Sequence, residues 1–131
     1  MISLMTPSVA AVLVCAVLGL LAVFQLGLVA GLPFGRFAWG GQHVVLPPRL
    51  RIGSAVSVVL YAAFSGVALE RAQLIALVPS ATFIAVATWV LAGYFALGVV
   101  MNGISRSKPE RFTMTPVSLV LAALFLVLAI A

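Results

Sequence analysis

No Asp, Glu, Lys or Arg occurs before Arg36, and three more charge-free runs follow, at residues 52–69, 72–105 and 112–131. The few charged side chains cluster between these runs. A soluble fold tolerates some exposed apolar surface. It does not tolerate a chain that is 65% hydrophobic and 7% charged, with a mean hydropathy of +1.34. Such a composition is that of a membrane protein. About 20 apolar residues in helix cross a hydrocarbon core of ~30 Å. The runs supply four such spans: about 7–30, 50–69, 80–101, and a fourth that starts between residues 112 and 116 and reaches residue 131. The predicted fold is all-α, a polytopic bundle of four transmembrane helices in one domain over residues 1–131. The first run has no basic residue before it and is too long for a cleaved signal. It is read as a retained span.

The basic residues predict orientation. Arg36, Arg49 and Arg51 lie in or beside the loop after the first span, and Arg106, Lys108 and Arg111 lie between the third and fourth. With four spans these loops share a side, and only Arg71 falls on the other. Cytoplasmic loops carry such an excess. Loops 31–49 and 102–115 are therefore expected in the cytoplasm, with both termini outside, in a bacterial cytoplasmic (plasma) membrane. The net charge of +5 then answers to the bilayer surface rather than to nucleic acid.

Two starts compete for the fourth helix. "SKPE" at residues 107–110 fits a capping box, with Ser107 as N-cap and Glu110 at N3. Alternatively Thr115 caps and Pro116 is the first helical residue. The favoured expectation is a short interfacial turn from Lys108 and then a bend near Pro116.

The chain also echoes itself. "VSVVLYAAF" from Val56 and "VSLVLAALF" from Val117 agree at six of nine positions. "PPRLRI" from Pro47 and "PERFTM" from Pro109 precede them. "LAVFQLGLV" and "LAGYFALGVV" match more loosely upstream. This predicts two repeated helical hairpins, at about 7–69 and 80–131. Each would hold two spans, so the repeats would be parallel rather than inverted. The first differs by extra loop residues, "GRFAWGGQH".

That loop holds most of the chain's polar chemistry. His43, the single histidine, could be a general base or a ligand contact; it could equally be a solvated loop residue. Glu110 is the only acid expected on the same side, since Glu70 falls across the membrane. Arg36, His43, Arg49, Arg51, Arg106 and Arg111 are the candidate phosphate-binding residues, with Lys108 beside them, because guanidinium groups grip phosphate with two hydrogen bonds. The simpler reading is orientation plus attraction to anionic lipid. Trp39, before two glycines, reads as an interface anchor, and Phe34 and Phe37 suggest a segment dipping into the headgroup layer.

Within the spans, Gln25 and Asn102 are expected to bridge helices. A channel would need them to share one axis with Ser57, Ser65 and Thr88. No ionisable group falls at the middle of a span, which argues against a proton-coupled pump. Gly27 with Gly31, and Ala62 with Gly66, have the spacing of close helix contacts. Glu70–Arg71 reads as a capped helix end. Cys15 is the only cysteine, so no intrachain disulfide forms. No metal and no cofactor are expected.

"PFGRFAWGGQHVVLPPRLRIGSAVSVVLYA", with "ALGVVMNGISRSKPERFTMTPVSLVLA", resembles a set of small four-helix integral membrane proteins of high-GC, actinobacterial-type bacteria. The likeness covers most of the chain. It implies a complete four-helix protein and lends no activity to any residue. The leading expectation is a non-enzymatic membrane component: an accessory subunit, or a binder or conductor of a hydrophobic or anionic small molecule. Its partners would be membrane lipids and either further copies or a larger membrane complex. The alternative is a membrane-embedded enzyme acting on a lipid headgroup or isoprenoid phosphate at the cytoplasmic face, using His43 and Glu110 with the arginines.

Overall fold

The computed structural model describes residues 5–131; the first four residues of the expected domain lie outside that set. Among the described residues there are four long helices and no strands: α1 (Pro7–Val29), α2 (Pro48–Arg71), α3 (Ala81–Gly103) and α4 (Lys108–Ile130). Each is long and apolar enough to cross a membrane. At 1.5 Å per residue they reach roughly 35 Å. The all-helical, four-span reading therefore holds.

Local chemistry sets the helix ends. Thr6 caps α1 by accepting the Val9 N–H at 3.2 Å, and Pro7 starts the helix where no N–H is needed. Ser80 does the same for α3 through the Phe83 N–H, at 3.1 Å. The α1 C-terminus closes on Gly31, whose φ of +91° suits glycine. The Leu32 N–H reaches the Gly27 carbonyl at 3.0 Å and the Gly31 N–H reaches Leu28 at 3.1 Å, a Schellman motif. Leu32 folds back onto Gly27. Gly27 and Gly31 thus serve a helix stop, not the helix–helix contact their spacing suggested. Gln73 ends α2 in the same way, with φ +61° in place of a glycine.

α4 begins where its capping sequence predicts. It starts at Lys108 and runs as one helix of 23 residues with Pro116 inside it. Ser107 accepts the Glu110 N–H at 3.5 Å, so the N-cap half of the capping box is present. The reciprocal half is absent: the Glu110 carboxylate accepts the Gly40 N–H instead.

The chain folds as two hairpins, α1 with α2 and α3 with α4; α4 also packs on α1, and α2 on α3. The loops at 30–47 and 104–107 share one end of the bundle, here the loop end; the α2–α3 turn lies at the opposite, terminal end. The main core lies toward the terminal end. Val14 and Leu18 of α1 meet Ala68 of α2, Phe95 of α3 and Leu121, Phe125 and Leu128 of α4. Phe95 and Phe125 stack with centroids 5.6 Å apart and planes at 10°. A small second core of Leu28, Ala38 and Leu46 lies under the long loop.

At the terminal end, Arg71 closes the bundle. Its guanidinium donates to the carbonyls of Leu128 (2.9 Å), Ala129 (3.0 Å) and Ala131 (3.2 Å). Leu128 otherwise receives only the Ala131 N–H, at 3.4 Å, and a cation at this helix end also meets the negative end of the helix dipole. The neighbouring Glu70 accepts the N–H groups of Leu77 and Val78 at 2.6 and 2.8 Å and ties down the α2–α3 turn.

Candidate functional site

The loop between α1 and α2 is folded across the end of the bundle. Two single 3₁₀ turns, Gly35–Phe37 and Trp39–Gly41, shape it. Short ties hold it down on both hairpins. The Gly35 N–H donates to Val44 at 2.8 Å, closing the loop on itself. The Trp39 indole N–H donates to Ser54 of α2 at 3.0 Å, and its ring lies directly on Gly53. The Gly40 N–H donates to Glu110 of α4 at 3.1 Å, and the Ser107 hydroxyl donates to the Arg36 carbonyl. Trp39 adopts φ +54°, a left-handed conformation costly for a bulky residue. Gly41 follows at φ +71°, with its Cα against Ser107, where a Cβ would collide. Phe37 packs edge-on to Phe24 of α1, centroids 6.5 Å apart. The loop is therefore a fitted lid, with Phe34 and Trp39 left about half exposed on it.

Beneath the lid is a half-open cavity of about 310 Å³. All four helices and the loop contribute to its wall. Its polar lining comes from Gln25, Tyr61, Asn102, Glu110 and Ser118; Phe37, Trp39, Tyr94 and Phe95 supply aromatic faces. Gln25 is 8% exposed and donates to the Tyr61 hydroxyl at 3.5 Å, while its Oε1 has no partner. Asn102 donates to Ser118 at 2.9 Å. Both amides bridge helices, as expected of such groups in a membrane bundle. Ser57 and Thr88 instead bond back to their own helices, at Gly53 and Ile84, and neither they nor Ser65 line the cavity.

Outside the cavity, an opening of about 460 Å³ is lined by Trp39, Gly40, Gln42, Met101, Asn102, Ser105, Arg106 and Glu110. It shares Trp39, Asn102 and Glu110 with the cavity. It also shares Gly40, Gln42 and Arg106 with a groove of about 490 Å³ over the start of α4. In that groove Arg36, Arg106 and Lys108 come together beside Ser107 and Gly41. A separate, almost wholly apolar groove of about 520 Å³ runs between α1 and α4. Its walls include Leu20, Phe24 and Phe34, and it shares Leu21, Phe37, Met114 and Val117 with the cavity.

The six candidate phosphate-binding residues separate in space. Arg36 and Arg106 meet in the basic groove, joined by Lys108. Arg51 is committed to structure: its Nε donates to the Leu46 carbonyl at 2.9 Å and its guanidinium lies against Gly31. The Arg111 guanidinium sits 4.8 Å above the Phe112 ring. Arg49 is exposed on the first turn of α2. His43 is half-buried and lines neither the cavity, the opening nor the basic groove. Its backbone carbonyl packs on Gly35. The alternative catalytic pair of His43 with Glu110 therefore does not share a cavity.

Ser54, Tyr61, Tyr94 and Ser118 escaped the sequence reading as site residues. Each looks like ordinary span composition, and only the repeat alignment picked out Ser118. Among the described residues, no three His, Cys, Asp or Glu side chains gather where a metal could bind. Comparison of the chain with family models, with curated proteins and with solved structures finds no match.

Proposed function

We propose that this protein is a non-catalytic integral membrane component that binds a phosphate-bearing amphiphile at its loop end. The observation that carries this reading is the basic groove. Arg36 from the long loop, Arg106 from the short one and Lys108 from α4 converge on one open surface at a helix N-terminus. Arginine suits phosphate oxygens, and the helix start adds a favourable field for an anion. The apolar groove between α1 and α4 gives an acyl or isoprenoid chain a place beside that head, since Phe34 and Phe37 flank Arg36 on the same loop.

Under this reading both inter-hairpin loops face the cytoplasm of a bacterial plasma membrane, where each basic residue near the anionic surface contributes about 1 kcal/mol. The two hairpins are a duplicated unit, and the first acquired the lid. That His43 lines neither the cavity nor the basic groove favours binding over turnover on a lipid headgroup.

The test is native mass spectrometry of the protein released from lipid nanodiscs, for wild type and for Arg36→Ala/Arg106→Ala/Lys108→Ala. Wild type should retain a phospholipid through mild activation and the triple variant should lose it. Equal retention by both would sink the proposal.

A further inference from the structure

Glu110 is 7% exposed, and the one hydrogen bond it receives comes from a neutral donor, the Gly40 N–H on Oε2. It forms no ion pair among the described residues, and its other oxygen receives no hydrogen bond from them. The residue lines both the opening and the half-open cavity, so a donor that enters there meets a carboxylate oxygen with capacity to spare. The surroundings also look for donors. Gln25 Oε1, nine-tenths buried in the same cavity, has no partner. Asn102 uses its amide N–H on Ser118 and keeps its oxygen free to accept. Trp39 also lines the opening, and an indole there favours a cation.

The site thus asks for a compact cation with several N–H donors, and an alkylammonium has three. A free cation would meet Arg36, Arg106 and Lys108 at the mouth and be repelled. A cation covalently tied to a phosphate would not. Arg106 lines the basic groove and the same opening as Glu110, so the two charges of such a head would find opposite partners a few bonds apart.

We propose that the loop end binds a zwitterionic ammonium–phosphate ester, with the phosphate in the Arg36–Arg106–Lys108 groove and the ammonium on Glu110 under Trp39. This rests on the phosphate reading above and narrows it. The ester has two possible sources, a membrane lipid of the phosphatidylethanolamine type or a free aminoalkyl phosphate.

The experiment compares binding of phosphatidylethanolamine and phosphatidylglycerol in mixed nanodiscs, for wild type, Glu110→Gln and the triple basic variant. The glutamine keeps the carbonyl oxygen that accepts from Gly40, and a thermal melt verifies its fold. Wild type should prefer phosphatidylethanolamine by about tenfold, the effect expected of one charge-assisted hydrogen bond. Glu110→Gln should lose that preference and keep its phosphatidylglycerol binding. Equal binding of the two lipids by wild type overturns this inference and leaves the phosphate reading standing, as does a preference that survives Glu110→Gln. Binding of both lipids that is untouched in the triple variant overturns the phosphate reading itself. Soluble phosphoethanolamine that displaces the lipid where inorganic phosphate does not would assign the free ester as the source; lipid binding without such displacement would assign the membrane lipid.

Discussion

The two halves of the bundle are built from the same four helices and differ in what fills them. Toward the terminal end, Val14, Leu18, Leu121, Phe125 and Leu128 form an apolar core, and the one buried hydroxyl in that half, Thr88, is satisfied by its own helix at Ile84. Toward the loop end, the same helices carry Gln25, Tyr61, Asn102, Glu110 and Ser118 around an open volume. Each half is closed by hydrogen bonds across a long stretch of chain, yet in opposite senses. At the terminal end an arginine binds bare carbonyls and completes a helix. At the loop end a carboxylate binds a loop N–H and keeps a lone oxygen over a cavity. One end is finished by its own residues and the other is not, which is where a ligand has something to add.

This contrast can be broken by substitution. The largest effect belongs to Phe125→Ala, which empties the stacked centre of the packed half and should cost about 3 kcal/mol, read as a fall in thermal stability in detergent. Arg71→Ala comes next. It strips hydrogen bonds from three carbonyls at the end of α4 and should cost about 2 kcal/mol, with faster amide exchange confined to the last turn of α4 and the α2–α3 turn. Gly41→Ala forces a side chain into a left-handed position against Ser107 and should cost about 1.5 kcal/mol. Its exchange signature should appear in residues 35–46 and leave the packed half unchanged. The smallest is Asn102→Ala, at about 0.6 kcal/mol, the average for a polar bridge between membrane helices. If Asn102→Ala destabilised the protein as much as Phe125→Ala, the polar half would be a structural core and the contrast would fail.

The spans were legible because they depend on run length alone, and the helices fall within a few residues of them. The cap at Ser107 was legible for the same reason, being local. The start of α4 at Lys108 was legible in its capping sequence. The tie of the Gly40 N–H to Glu110 was not, since it joins residues 70 apart. Arg51 and Arg36 look alike in sequence; one is turned inward to Leu46 and the other outward to the groove, a difference fixed only by the path of the loop. Gly31 was noticed for its spacing from Gly27, yet spacing says nothing of φ, and φ decided its role. Arg71 carried the topology argument by standing alone, and its partners lie 57 to 60 residues away.

The cavity wall draws on all four helices and on the loop. Neither hairpin encloses that volume alone; it exists only when the two are docked. Whatever occupies it therefore binds the assembled state and not the separated hairpins, and by mass action stabilises assembly as RT ln(1 + [L]/Kd). For a small bundle in a bilayer, where apolar burial gives no drive for helices to associate, the occupant would act as part of the scaffold. The melting temperature would then report the composition of the surrounding membrane.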